Sequence, residues 1–285
     1  MRQMGDRLVK WTLMALAFTA LASLLLIAIF IFKEGVPFIA RVGFKDFLLS
    51  SDWRPQAGHF GIYPMIVASL LVTLGAMLVG APLGIACAVF LNEFVSKPVT
   101  RIIKPTIELL AGIPSVVYGF IGVVVVAPLI RSQFGGPGLS MLCASLILGI
   151  MVLPTIISIS TDVLASVPNA YREGALALGA TRWQSVHMVI LKAGRSGIVA
   201  AVILGMGRAI GETMAVIMVA GNTVQIPHSA LDSVCTLTAK IAMEMGSATG
   251  AHRQALFAIG VVLFLMIMML NALAMTAFKQ RFARK

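Results

Sequence analysis

Long apolar runs separated by short polar segments set the organisation of this chain. A helix needs ~20 apolar residues to cross ~30 Å of hydrocarbon. Six runs approach that length, at about 11–32, 65–91, 110–130, 139–161, 196–221 and 255–278, and predict six transmembrane helices. Pro64, Pro82, Pro105, Pro114 and Pro128 bound or interrupt the second and third runs. They predict kinks whose freed backbone groups need partners. Gly75, Gly80 and Gly84 in the second run are small enough to let another helix approach closely. Between the fourth and fifth runs, Tyr171–Lys192 is too polar to cross. Ala175, Leu176, Ala177 and Leu178 favour a helix, and Gly179 stops it. Thr181 with Gln184 is a capping-box pair, and Trp183, Val186, Val189 and Ile190 give a second short helix an apolar stripe. Residues 33–64, with Phe38, Phe44, Phe47, Trp53 and Phe60, suggest short helices packed along the membrane face.

Composition agrees with that pattern. Hydrophobic residues make up 59% of the chain and charged residues 12%, against about 25% charged in soluble domains. The expected fold class is an all-α membrane protein. A net charge of +11 invites a nucleic-acid reading, but the distribution of the charge argues against it. The N-terminus and second connection carry three Lys or Arg each, the fourth connection and C-terminus four each, and the opposite connections only seven in all. Arg208 is left inside a run. The positive-inside rule then places both termini and Tyr171–Lys192 in the cytoplasm. The first run is too long for a signal-peptide core and has no small-residue cleavage site before Lys33, so it reads as a retained helix. The expected organisation is 1–62 for the first helix and external segment, 63–278 for the main transmembrane domain, and 279–285 for a basic cytoplasmic tail.

Little in the chain suits catalysis. Cys87, Cys143 and Cys235 match neither a disulfide framework nor a metal site, and the four histidines are scattered. No catalytic residue, metal or cofactor is assigned. The glycine-rich stretch Gly135–Gly138 is a turn without the Lys-Ser/Thr of a phosphate-binding loop, so ATP-driven work would need an ATPase on another polypeptide.

Arg208 stands midway along the fifth run, where insertion costs about 2.5–3.5 kcal/mol. Glu212, four residues on, is expected on the same helical face and in direct pairing with it. Either the pair lines a pathway or it is a structural ion pair at a helix contact. Arginine's planar fork suits an oxyanion, and a glutamate can accept a hydrogen bond from a protonated one such as hydrogen phosphate. A fully ionised sulfate would meet only repulsion from the carboxylate.

Tyr171–Lys192 also resembles the cytoplasmic motif of ABC-transporter permeases, E-A-A-x3-G-x9-I-x-L-P, which docks on an ATPase. Glu173, Ala175, Gly179 and Leu191 fall on it in register, with Val189 at the Ile position; Gly174 and Lys192 depart from the pattern. Trp53–Pro64 (WRPQAGHFGIYP), Leu110–Phe120 (LAGIPSVVYGF) and GRAIGETMAV around Arg208 resemble phosphate-transporter permeases of the PstC type. The resemblance covers roughly 53–278. It implies a type I, MetI-like importer fold in the bacterial plasma membrane, with coupling helices at 168–192 and a phosphate pathway through Arg208 and Glu212. Thr213, Ser115 and Tyr118 are further pathway candidates. It also implies partners: a related permease of the PstA type, an ATPase dimer and an external phosphate-binding protein. An importer of sulfate, molybdate or phosphonate is the neighbouring reading. A secondary transporter is the reading from another class, for which no internal repeat is seen.

Overall fold

The computed structural model describes residues 2–283. The end of the basic tail expected at 279–285, Arg284 and Lys285, lies outside the described residues. The helices are α1 (Arg2–Val42), α2 (Phe44–Leu49), α3 (Tyr63–Val89), α4 (Lys97–Ala111), α5 (Ser115–Ile121), α6 (Ala127–Phe134) and α7 (Met141–Ala165). They continue with α8 (Asn169–Ala177), α9 (Arg182–Ser185), α10 (Leu191–Ala193), α11 (Arg195–Gly211), α12 (Met214–Val219), α13 (Leu237–Glu244) and α14 (Gly250–Ala283). π-helical turns extend α3 through Phe90–Phe94, join α5 to α6 across Gly122–Val126, and join α9 to α10 across Val186–Ile190.

Five described segments are long and apolar enough to cross a bilayer: Val9–Val42, Tyr63–Phe94, Ser115–Phe134, Met141–Ala165 and Gly250–Thr276. A sixth candidate crossing is the pair Arg182–Ala193 and Arg195–Gly211, long and apolar enough only when taken together and bent by 71° at their junction. The expected runs are thus met in number, with three differences. The first helix extends past residue 32 to Val42, shortening the segment expected along the membrane face. The third run is cut at Gly112–Pro114, so its crossing starts at Ser115 and α4 stands apart. The fifth run is not one helix: α11 ends at Gly211, Glu212 is extended (φ −69°, ψ 136°), and the six-residue α12 restarts at Met214. Gly211 is a poor helix former, and the Glu212 side chain accepts the Ala215 N–H at the start of the new helix (3.2 Å).

The bundle is built on α3 against α7. Gly80 makes that contact possible: a Cβ there would lie 2.7 Å from Val152 Cγ2 and 2.8 Å from the Gly149 carbonyl oxygen. Ala68, Val72 and Ala76 of α3 meet Cys143, Ile147, Leu148 and Met151 of α7 in a fully buried core. α11 and α12 close over the same core, and α1 lies along α14 with Phe30 edge-on to Phe257 (5.3 Å between centroids). Tyr171–Lys192 projects from one end of the bundle, the basic end.

At the opposite end a two-residue hairpin, Trp53–Arg54 with His59–Phe60, packs against α14. Its anchor is Glu244, which accepts hydrogen bonds from Trp53 Nε1 (3.1 Å) and Lys240 Nζ (2.9 Å) and lies 2.8 Å from His252 Nε2. Burial alone raises the Glu244 pKa, but the hydrogen bonds from Lys240 and His252, the Lys240 charge and the Trp53 bond outweigh it. They hold the carboxyl below its ordinary 4.5. A depressed carboxyl contributes stability that is complete above its unfolded value and lost as pH falls through the folded one. Glu244→Gln is therefore expected to cost about 1–2 kcal/mol at neutral pH, lowering the thermal midpoint of the detergent-solubilised protein by a few degrees. The difference from wild type should vanish in acid well below pH 4.5. A deficit unchanged across that range would remove the carboxylate from the account.

Candidate functional site

Two helix interruptions are brought near each other where α5 packs along α12 and Arg208 reaches Ala111. The cut at Gly112–Pro114 denies the Leu110 carbonyl its usual donor four residues on, since Pro114 has no N–H, and the Ile113 N–H reaches it instead at 3.3 Å. The buried Tyr118 hydroxyl donates to the Leu110 carbonyl (2.9 Å), reaching back across the break from α5. Arg208 Nη2 donates to the Ala111 carbonyl (3.4 Å), and its Nη1 donates to Thr155 Oγ1 on α7 (3.2 Å). One guanidinium on α11 thus touches two further helices at the break.

The expected direct pairing of Arg208 with Glu212 is absent among the described residues. Because α11 stops at Gly211, Glu212 leaves the helical face on which Arg208 stands. Its carboxylate accepts from the Ala215 N–H, and its carbonyl accepts from the Thr238 hydroxyl (2.9 Å). Thr213 lies in the same break, its hydroxyl donating to the Gly211 carbonyl (3.3 Å). Ser115 opens α5 at the other break, and α5 packs along α12. Arg208 and Tyr118 are therefore joined through consecutive α4 carbonyls, whereas Glu212 and Thr213 mark the second interruption. Sequence reasoning missed Thr155 and Thr238. Thr155 left a signal, a hydroxyl directly after Pro154 in an apolar run; Thr238 left none.

At the basic end the local expectations hold. Gly179 adopts φ +82°, a left-handed conformation that a Cβ disfavours, and its N–H donates to the Leu176 carbonyl to end α8. The capping box forms in both directions: Gln184 N–H to Thr181 Oγ1 (3.2 Å) and Thr181 N–H to Gln184 Oε1 (2.8 Å). Lys192 does not end the second helix, which runs on to Ala193. Ala175 is buried and Leu191 half-buried, fixing the unit from within, while Glu173 and Gly179 are exposed. Leu178 is 90% exposed and Trp183 62%, so two large apolar side chains stand open among the unit's polar ones.

Arg172 ties this unit to the bundle, a role hidden while it counted only as one more basic residue. Its Nη2 pairs with Glu93 Oε1 (2.7 Å) and donates to the Leu164 carbonyl (2.9 Å), and its Nη1 donates to the Val167 carbonyl (2.8 Å). The pair lines a cavity of about 460 Å³ together with Asn92, Asn169 and Arg182. Arg172→Gln would leave a Glu93 carboxylate that is only 10% exposed without its countercharge, with the Asn92 amide (2.6 Å) still donating to it. We expect a loss of about 3 kcal/mol, the lower end for breaking a buried pair, read as faster proteolytic cleavage within 169–193. Unchanged cleavage would show that the tie does not hold the unit.

Comparison with known proteins gives concordant relatives. The family described as "Binding-protein-dependent transport system inner membrane component" matches residues 80–284. The probable ABC transporter permease protein YqgH of Bacillus subtilis is 41% identical over 93% of this chain and 88% of its own length. The phosphate transport system permease protein PstC of Mesorhizobium japonicum is 36% identical, covering 94% of this chain and 88% of its own. PstC of Haemophilus influenzae is 35% identical over 85% and 84%. Among solved structures, a bacterial ABC transporter involved in import of the acidic polysaccharide alginate aligns over 98% of this chain and 99% of its own, at 17% identity and a TM-score of 0.64. The MetNI methionine ABC transporter aligns over 76% and 94% at 18% identity and a TM-score of 0.54. These structural likenesses speak for the fold alone.

Proposed function

The chain belongs to the binding-protein-dependent transport system inner membrane component family, and from that membership we propose that it passes inorganic phosphate through the membrane as part of an ATP-driven, high-affinity importer. It is an ABC transporter permease of the multi-pass, inner-membrane kind. The observation that carries the phosphate reading is Arg208, a half-buried guanidinium held against neutral acceptors, Thr155 Oγ1 and the Ala111 carbonyl. No carboxylate among the described residues neutralises it, so its charge remains available to an anion. At 4 Å a unit-charge contact is worth about 4 kcal/mol for an effective dielectric of 20, enough to draw an oxyanion in without trapping it. PstC relatives at 35–36% identity over most of the chain support phosphate as that oxyanion. Glu212, one break further on, would favour an anion that still carries a proton.

The same reading places the basic end in the cytoplasm, against an ATPase subunit. The absence of a nucleotide-binding loop in the sequence supports this, as do the exposed Glu173, Leu178 and Trp183 on a unit held rigidly by Ala175, Leu191 and Arg172. A related permease and an external phosphate-binding protein would complete the assembly.

Labelled phosphate uptake at micromolar concentration tests the cargo, in cells lacking the gene and again with it restored, with unlabelled sulfate as competitor. Uptake should depend on the gene and ignore sulfate. Uptake blocked by sulfate would transfer the assignment to another oxyanion, and gene-independent uptake would end the phosphate claim. Arg208→Gln and Glu212→Gln should each leave the chain inserted while lowering uptake about 10–100-fold, the effect of losing one charged contact of ~1.5–3 kcal/mol; normal uptake in both would remove them from the pathway. Leu178→Asp should leave insertion intact but reduce co-purification of the ATPase subunit. Undiminished co-purification would place the docking surface elsewhere.

A further inference from the structure

From Arg208 toward the basic end, α4 and α7 run antiparallel and are joined by three polar rungs. Arg208 forms the first, between the Ala111 carbonyl and Thr155 Oγ1. In the second, Ser158 Oγ donates to Glu108 Oε1 (3.2 Å). In the third, Lys104 Nζ pairs with Asp162 Oδ1 and also lies 3.9 Å from Glu108 Oε1. Residues 111, 108 and 104 on α4 meet 155, 158 and 162 on α7, so each set steps by three and then four and keeps to one helix face. The ladder descends about 10 Å from Ala111 to Lys104 at 1.5 Å per residue.

The other face of α4 is apolar and open, with Ile102 72% and Leu109 75% exposed. That face suits hydrocarbon, which directs the charged face toward the inside of the assembly. Yet the rungs are not sealed there: the side chains of Glu108 and Asp162 remain 49% and 62% exposed, and that of Lys104 31%. Charges beside an apolar face this open need water or polar partners around them, because lipid supplies neither.

We propose that Lys104, Glu108, Ser158 and Asp162 line the inner half of a water-filled pathway that begins at Arg208, with Lys104 as a second cationic station for the departing anion. The proposal rests on the permease reading above. An anion leaving Arg208 approaches Glu108, whose repulsion is offset by the Lys104 ammonium beside it. Lys104 has a long flexible stem, and an ion pair open to water holds it by only ~0–1 kcal/mol. It can therefore swing from Asp162 to the anion and return. Alternating signs along the ladder keep the local charge near neutral, so a passing anion is neither trapped nor expelled.

Accessibility to water tests the ladder without assuming the cargo. Lys104→Cys, Glu108→Cys, Ser158→Cys and Asp162→Cys would be expressed within the whole transporter in permeabilised cells. Each would be treated with an anionic, membrane-impermeant methanethiosulfonate. Ile102→Cys and Leu109→Cys serve as controls on the opposite face of α4, and the native chain, with Cys143 and Cys235 buried and Cys87 half-buried, is the blank. The four ladder positions should react about tenfold or more faster than the two controls, since thiolate chemistry needs water at the sulfur. Equal rates on both faces, or unreactive ladder positions, would overturn the proposal. Reactive ladder positions in a chain whose native form carries no phosphate would leave the pathway standing and remove only the cargo.

Discussion

Hydrocarbon offers no water to an unpaired backbone carbonyl, so every interruption of a membrane helix must find a replacement donor within the protein. The arrangement around Arg208 answers that demand. Where α4 ends before Pro114, the Leu110 and Ala111 carbonyls receive the Tyr118 hydroxyl and the Arg208 guanidinium. Where α11 ends at Gly211, the Glu212 carbonyl receives the Thr238 hydroxyl, and its carboxylate takes the Ala215 N–H in the first turn of α12. The groups that repair the helix breaks are also those with chemistry to offer an anion. An irregular backbone at membrane depth is tolerated only where it is buried in protein or lines a cavity, so the breaks and the polar site belong together.

A rigid frame keeps these breaks in register. α3 and α7 approach closely enough for Gly80 to rest on Val152 and Gly149, and the surrounding aliphatic side chains are fully buried. Thr155 sits on α7 a short way past that contact, so the helix that anchors the core also presents an acceptor to Arg208.

The basic end follows a different rule. It lies beyond the apolar crossings, and its helices are set by local devices, the left-handed Gly179 and the reciprocal Thr181–Gln184 cap. What makes the unit stiff is not local. Arg172 gathers Glu93 from the turn that extends α3, the Leu164 carbonyl from the end of α7 and the Val167 carbonyl just past it onto one side chain. A force applied at exposed Leu178 or Trp183 would thus pass into the two helices at the centre of the bundle.

How much of this the sequence alone determines depends on the range of the interaction. Hydrophobic run length gives the number of crossings, charge asymmetry suggests a sidedness, and the Gly179 stop and Thr181–Gln184 box are decided within a few residues. These are short-range or compositional properties, and they are legible without coordinates. The fifth run exposes the limit. Its hydropathy is continuous from 196 to 221, so an unbroken helix with Arg208 and Glu212 one turn apart is its natural reading. The break at Glu212 is held instead by Thr238, far away in the chain, and Arg208 is drawn to Ala111 and Thr155. Likewise nothing in the charge count links Arg172 to Glu93 or Lys104 to Asp162. Those partners are fixed by which helix ends meet in space, and only the packed bundle decides that.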